Sequence, residues 1–475
     1  MKNNFVKTYL AENKDTFERI SEYVFHHPET RFEEFESAEY LATECEKAGF
    51  SVERNAGNIG TAFVATFGSG YPVIGFLGEF DALSGLGQEP NKTNSEPTEL
   101  NVGHGCGHNL LGTGAFAAAC AAKKYLEENN LPGTVKFFGC PGEEGGSGKT
   151  FMVREGVFNE VDAALTWHPS PANAIMSLSS LANYQVYFRF KGVSSHAANS
   201  PHLGRSALDA VELMNVGANY LREHIVPEAR IHYAVTNTGG ISPNVVQADA
   251  EVLYLIRAPR VQQVDAIYKR VCKIAEGAAL MTETELSIGF DKACSNYIPN
   301  RSLEKILHDS LLEAGTEEPT NDEITYAREL WSTLSDGEKE NYLNLMKGFG
   351  YSGNGSEFEG KYLSDSISPY IASNEVLAGS TDVSDVSWVV PTAQLTAATS
   401  ALGTPLHTWQ MTTQGISSFA HKGMLRAAES MALTALQLFE DEDKLKAVKD
   451  EFNEFRKANA YTCPIPKDVN PSTLK

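Results

Sequence analysis

Apolar positions along the chain recur with two different periods. Over residues 4–25, 36–48 and 110–128 they recur at helical spacing. Short apolar runs of strand type lie around these segments, at Thr61–Phe67, Pro72–Leu77, Thr134–Phe138 and Asp162–Trp167. Strands that alternate with helices predict a layered α/β sheet. In such folds the chemistry usually lies where strands end and loops begin.

The pattern changes over residues 183–290, where the predicted elements follow the order β-α-β-β-α-β. They are Tyr184–Phe190, Arg205–Glu223, Ile231–Thr236, Ala250–Ile256, Val261–Leu280 and Glu283–Phe290. This order resembles a ferredoxin-like, split βαβ unit. Because the α/β pattern of strands and helices resumes after this unit, we interpret the unit as a domain inserted into the α/β domain.

The remainder of the chain is predicted to be mainly helical. A charged helical stretch covers residues 302–347, and a Gly- and Ser-rich loop covers 352–368. The last two helices are predicted at about residues 418–439 and 443–458.

Composition narrows the class of protein. The 475 residues suggest two to four domains, and 42% hydrophobic with 21% charged residues is an ordinary globular mixture. Sixty-one acidic residues against 39 basic ones give a formal charge of −22, which disfavours nucleic acid as a partner. The sequence contains no apolar stretch of membrane-spanning length and no signal-peptide core near Met1. Seven scattered cysteines argue against a disulfide framework and favour a reduced, cytoplasmic enzyme.

The segment GHGCGHNLLG, residues 103–112, brings His104, Cys106 and His108 within five residues. Thiolate and imidazole suit zinc and other borderline transition metals. In extended backbone, residues two apart project to the same side, so Cys106 and His108 form a plausible ligand pair. The alternative is a Gly-rich turn with incidental histidines.

The segment GCPGEEGGSGK, residues 139–149, follows directly on a predicted strand and carries Glu143 and Glu144. Adjacent carboxylates repel, so such a site needs a cation or a proton. One carboxylate could bind a metal while the other acts as a general base. The alternative is an exposed acidic turn. His168 lies at a third strand end, where a single histidine is more often structural than a ligand.

The predicted insertion carries polar loop residues of its own. His196 and His202 lie in a loop before a helix, and Asn244 precedes a strand that ends near Arg257. Such groups could recognise a carboxylate and a developing oxyanion, or they could be ordinary turn residues. Near the C-terminus, spacing alone does not choose between His407 and His421 as a further site residue.

Seven segments resemble motifs of the M20 metallopeptidase and amidohydrolase family and occur in the same order along the chain as in that family. They are GEFDALSGL, GHGCGHNLLG, GCPGEEGGSGK, DAALTWHPS, SSHAA, SPNVV and the segment around His407. The resemblance covers nearly the whole chain and is strongest to the amino-acid amidohydrolase branch. It implies a zinc-peptidase-like α/β sandwich catalytic domain, residues 1–182 plus 295–475. It also implies that the inserted ferredoxin-like domain, residues 183–294, serves in dimerisation and as a lid.

The resemblance also implies roles for individual residues. The metal ligands of one or two divalent ions, Zn or Mn, would be Cys106, His108, Glu144, His168 and His407. Glu143 would be the catalytic base, and Arg257 would hold the carboxylate of the leaving amino acid. His196 and Asn244 would polarise the scissile carbonyl, often from the neighbouring subunit. Where many relatives have His-x-Asp the chain has Glu79-Phe80-Asp81, which leaves Asp81 only an orienting role.

The expected reaction is hydrolysis of the amide bond of an N-acyl or aroyl amino acid. The best candidate is p-aminobenzoyl-glutamate, cleaved to p-aminobenzoate and glutamate in folate catabolism. The alternative within the family is a dipeptidase or a broad aminoacylase. The intact ligand set counts against a binding protein with a degenerate site. A cysteine hydrolase using Cys106 would leave Glu143 and Glu144 unexplained. A homodimer or a related partner subunit is expected, with no nucleic acid and no membrane.

Overall fold

The computed structural model describes residues 2–473, and these form fifteen strands, fifteen α-helices and four short 3-10 helices. The strands are β1 (Ser51–Arg54), β2 (Phe63–Ser69), β3 (Val73–Glu79), β4 (Leu83–Ser84), β5 (Val102–Gly103), β6 (Gly133–Cys140), β7 (Ala163–Ser170), β8 (Ala174–Ile175), β9 (Ser179–Ser180), β10 (Ala182–Lys191), β11 (Arg230–Asn237), β12 (Asp249–Ala258), β13 (Glu285–Cys294), β14 (Val376–Leu377) and β15 (Thr392–Ala398). The helices are α1 (Lys2–Glu12), α2 (Lys14–His26), α3 (Phe35–Lys47), α4 (His108–Asn129), α5 (Glu143–Gly146), α6 (Gly148–Arg154), α7 (Ala207–Leu221), α8 (Val261–Thr282), α9 (Arg301–Ala314), α10 (Asn321–Ser332), α11 (Asp336–Gly348), α12 (Val383–Val389), α13 (Trp409–Thr413), α14 (Ser418–Glu440) and α15 (Glu442–Ala458).

The larger sheet has seven strands in the order β1-β2-β6-β3-β7-β15-β8. Its four central strands, β6, β3, β7 and β15, run parallel to one another. Side chains alternate across it: Phe76 packs with the core that includes α4 and α14, whereas Leu77 packs with the core that includes α6 and α12. Helices therefore cover both faces, and the predicted α/β sandwich is confirmed.

The smaller sheet has four antiparallel strands in the order β11-β12-β10-β13. With α7 and α8 it gives the β-α-β-β-α-β succession of a ferredoxin-like unit, as predicted. Alternate residues of β10, among them Val186, Phe188 and Phe190, are buried in the core that α7 and α8 complete. The domain bounds at residues 182 and 294 remain a prediction.

Some predicted elements are divided differently in the structure. The first predicted helix is two helices, α1 and α2, because Asn13 between them leaves helical geometry at ψ 9°. The long helical stretch 302–347 is three helices, separated at Gly315, whose φ is 73°, and at Ser335, which caps α11. Within the described residues, no helix combines the length and apolarity needed to cross a membrane.

Candidate active site

The site lies where the four parallel strands of the larger sheet end. Glu79 is the last residue of β3, α5 with Glu143 and Glu144 follows β6, and His168 lies near the end of β7. The chain after β15 leads to His407. Because the carboxyl ends of neighbouring parallel strands meet at one edge, residues far apart in sequence converge there.

The predicted metal ligands come together in two groups that share Cys106. One ligand atom from each of Cys106, His108 and His168 lies within 4.8 Å of the others, and the same holds for Cys106, Glu144 and His407. A third group of this kind contains Glu79, His108 and Glu143. The five predicted ligands and the predicted base therefore form one cluster.

The surroundings of the cluster favour the ionised forms of Cys106 and Glu144. Burial raises the pKa of the Cys106 thiol, but the His168 and His108 imidazoles outweigh it and hold that pKa at about 6. Its Sγ lies 3.4 Å from Nε2 of His168. A thiol with this pKa is largely thiolate at neutral pH, which is the form that ligates metals.

Glu144 and His407 form the second contact of the cluster, with Oε1 and Nε2 2.9 Å apart. Burial opposes ionisation of Glu144, yet the hydrogen bond from His407 and the nearby imidazoles lower its pKa to about 2. Hydrogen bonds to Cys106 and Glu144 in turn raise the pKa of His407 to about 10. His407 has φ 58°, and its backbone N–H donates to the Gly105 carbonyl at 2.9 Å.

Asp81 holds two members of the cluster at once. One oxygen accepts a hydrogen bond from Nδ1 of His108 at 2.9 Å, and the other accepts from the backbone N–H of Glu144 at 2.7 Å. His108 Nε2 is left buried without a hydrogen-bond partner among the described residues. Such an acceptor at Nδ1 favours the tautomer in which Nε2 is the ligating nitrogen, so the geometry fits an orienting role for Asp81, which stays a prediction.

Replacing Asp81 by Ala is expected to weaken metal affinity about 10- to 100-fold. The change removes the acceptor for His108 and leaves the half-buried N–H of Glu144 without its partner. Competition with a fluorescent chelator measures the affinity, with the exposed Asp336→Ala as control. An affinity equal to that of the control would refute the orienting role.

A buried ionic network behind the cluster was not identified from the sequence. Lys149 Nζ lies 2.7 Å from Glu79 and 2.6 Å from Asp382, and all three side chains are at most 3% exposed. The second oxygen of Glu79 lies 3.2 Å from His108 Nε2. Lys149 stands in the quoted motif GCPGEEGGSGK, but its partner Asp382 is 233 positions away, so only the fold could pair them.

The glutamate-bearing turn is held by residues of the segment before α3. Gly142 and Gly145 have φ of 65° and 76°, which explains why glycines flank the two glutamates. The buried Glu34 accepts a hydrogen bond from the Gly142 N–H at 2.9 Å. Arg31 donates to the Gly145 carbonyl and pairs with Asp291 of β13 at 3.2 Å. The turn is thus tied to both sheets.

Of the predicted insert residues, His196 and Asn244 are not brought to this cluster within the described chain. His196 and Asn244 are both exposed and lie in paired loops, where the Ala197 N–H donates to the Asn244 carbonyl at 3.0 Å. The backbone N–H of Asn199 donates to Nδ1 of His196 at 3.1 Å. Arg257 is half-buried on β12.

Two other histidines are placed outside the cluster. His104 is buried with Nε2 3.0 Å from the Val24 carbonyl, and burial lowers its pKa to about 3. His421 lies on α14 with Nδ1 3.6 Å from Glu18. The structure thus separates His407, which contacts Glu144, from His421, which does not.

The fold and this site define a class of protein, and comparison with known families agrees. The model of the peptidase family M20/M25/M40 matches residues 75–338, so the chain belongs to that family, as its motifs predicted. It is accordingly a hydrolase that acts on amide bonds, and its donor cluster is suited to divalent metal.

Individual relatives resemble the chain over most of its length. It is 54% identical to a p-aminobenzoyl-glutamate hydrolase subunit of Escherichia coli, with 99% of both chains covered. It is 29% identical to the Xaa-Arg dipeptidase of Mus musculus, over 93% of this chain and 90% of that one.

Solved structures share the fold at lower identity. An aminobenzoyl-glutamate utilization protein from Klebsiella pneumoniae superposes with a TM-score of 0.60 at 17% identity, covering 91% of this chain and 98% of that one. A dinuclear metal-binding M20 peptidase from Bacillus subtilis gives 0.54 at 15% identity, covering 90% and 99%.

Proposed function

We propose that the protein is a metal-dependent amidohydrolase that cleaves p-aminobenzoyl-glutamate to p-aminobenzoate and glutamate. The observation that carries this proposal is the convergence of Cys106, His108, Glu144, His168 and His407 beside Glu143 at the ends of parallel strands. The 54% identity to the Escherichia coli hydrolase chain supports this choice of substrate. A dipeptidase is the second candidate, supported by the more distant Xaa-Arg dipeptidase.

The donor set fits one or two divalent ions. Thiolate, imidazole and carboxylate together suit zinc, and the carboxylate and imidazoles also suit manganese. Nε2 of His108 is buried in the cluster and makes no hydrogen bond among the described residues, with a Glu79 oxygen 3.2 Å away, so it is available as a ligand atom. A cation bound there would act as a Lewis acid, polarising the carbonyl and lowering the pKa of water.

The protein's own residues then transfer the proton of the attacking water and stabilise the negative charge that develops on the carbonyl oxygen. Glu143 accepts the proton of the attacking water on its carboxylate and passes it to the departing amine. Burial, with the carboxylates of Glu79 and Asp382 next, raises the pKa of Glu143, which makes it a stronger proton acceptor. His196 donates a hydrogen bond to the developing oxyanion, assisted by Asn244. Arg257 holds the carboxylate of the leaving amino acid with its planar fork.

His196 and Asn244 would reach the cluster from another subunit. Residues 183–294 would form the dimerising lid, and an exposed apolar surface there supports this assignment. Val216 and Tyr220 of α7 are 51% and 76% exposed, and β11 leaves an open sheet edge beside them. The partner would be a second copy or a related chain, since the Escherichia coli relative is one subunit of a hydrolase. All seven cysteines are unpaired, which supports a cytoplasmic location.

A panel of N-acyl amino acids tests the reaction. The purified, metal-loaded protein is expected to hydrolyse p-aminobenzoyl-glutamate with a higher kcat/KM than hippurate or dipeptides. A chelator should remove this activity, and added Zn or Mn should restore it. Hydrolysis that survives chelation would instead favour nucleophilic catalysis by Cys106. Higher activity on dipeptides would favour the second candidate.

A further inference from the structure

The smaller sheet carries two cationic side chains beside the active site that have no anionic partner. The strand register places Arg257 of β12 opposite Asn183 of β10, and Lys292 of β13 opposite Gln185 of β10. Both cationic side chains therefore lie on the sheet face away from α7 and α8. Lys292 is 7% exposed and Asn183 is 1% exposed. Arg257 is half-buried.

Neither cationic side chain forms an ion pair within the described chain. No ion pair among residues 2–473 includes Lys292 or Arg257. Nε of Arg257 and Oδ1 of Asn183 are buried there without a hydrogen-bond partner. The carboxylate nearest in sequence, Asp291, is bound instead to Arg31 at 3.2 Å and to Gln185 at 2.7 Å.

Such an arrangement is costly unless an anion completes it. A buried charge without a partner is among the most unfavourable groups in a folded protein. Burial lowers the pKa of Lys292, and the charge of Arg257 acts in the same direction, whereas Cys294 and Glu143 raise that pKa without forming an ion pair with Lys292. The chain has 61 acidic residues, yet within its described part none pairs with these two. The missing anion is therefore expected from a ligand.

Lys292 lies on the strand that packs against the turn bearing the proposed catalytic base, and Arg257 lies on the same face of that sheet. Helix α5, which begins at Glu143, contacts β13, which carries Lys292. Arg31 spans the two elements, because it donates to the Gly145 carbonyl and pairs with Asp291, the neighbour of Lys292. A ligand carboxylate bound between Lys292 and Arg257 would thus belong to a molecule whose amide bond lies near Glu143.

We propose that Lys292 determines specificity for an acidic amino acid, by binding the side-chain carboxylate of the substrate while Arg257 binds its α-carboxylate. This inference rests on the amidohydrolase function proposed above. The division follows from geometry: the guanidinium fork matches a carboxylate held in one orientation, whereas the ammonium is a point charge on a flexible stem. A neutral amino acid would leave Lys292 buried and unpaired, so it would be rejected.

Glutamate and glutamine conjugates test this proposal, because they differ in charge and hardly in shape. The kcat/KM of the metal-loaded protein is measured on p-aminobenzoyl-glutamate and p-aminobenzoyl-glutamine, and calorimetry gives the Kd of free glutamate and glutamine. Lys292→Met is expected to lower the preference for glutamate about 30-fold or more, mainly through KM. The exposed Lys191→Met, on β10, is the control and should keep the preference.

Each outcome is decisive. A wild-type protein that binds glutamine as tightly as glutamate overturns the proposal, whether or not the variant folds. A folded Lys292→Met protein that keeps the wild-type preference overturns it as well. A wild-type protein that hydrolyses no N-acyl amino acid, yet prefers free glutamate to glutamine in a Lys292-dependent way, supports the Lys292 site and refutes the proposed reaction.

Discussion

Glu143→Gln is expected to lower kcat by about 10²- to 10⁴-fold, the usual contribution of a positioned general base. The glutamine side chain keeps the shape of Glu143, but its amide cannot accept a proton at neutral pH. The five predicted metal ligands are untouched, so elemental analysis should find the wild-type metal content. Steady-state hydrolysis of p-aminobenzoyl-glutamate measures the loss.

The control for this variant is Glu53→Gln. Glu53 is exposed on β1, remote from the cluster, and its replacement should leave kcat unchanged. Near-wild-type turnover by Glu143→Gln would remove Glu143 from the mechanism. Loss of metal together with activity would instead make Glu143 a ligand, as its place beside Glu79 and His108 would then suggest.

His196→Ala is expected to lower kcat by about 10²- to 10³-fold, the cost of removing one oxyanion donor. His196 is exposed and makes only local backbone contacts, so fold and metal content should not change. The matched control is His202→Ala, since His202 is another exposed histidine of the same loop. Circular dichroism and elemental analysis establish that both variants are intact.

A mixture of two inactive variants separates the possible origins of His196. If His196 serves the neighbouring subunit, a dimer of Glu143→Gln and His196→Ala chains contains one complete site. Co-purified mixed dimers should then regain about half of the wild-type activity per dimer. No recovery in verified mixed dimers would place His196 in the site of its own chain, or outside the mechanism if His196→Ala alone is active.

The residues that could be predicted from the sequence are those whose chemistry is local. Periodicity located the helices and strands, because burial on one face imposes a period on the chain. The ligand candidates in GHGCGHNLLG and the pair Glu143 and Glu144 stood out because reactive side chains and glycines lie within a few positions of one another. The glycines that flank Glu143 and Glu144, Gly142 and Gly145, are explained by the positive φ values that their turn requires.

Contacts between distant segments were decided by the tertiary structure alone. Spacing did not choose between His407 and His421, but packing places only His407 against Glu144. Lys149 meets Glu79 and Asp382 because strand ends and helix starts converge at one sheet edge. Lys292 lies beyond the strand predicted from the sequence, and only the strand register and its burial place it on one sheet face with Arg257 and without an ion pair. A charge pattern along the chain cannot show which charges are desolvated, because desolvation is a property of the folded surroundings.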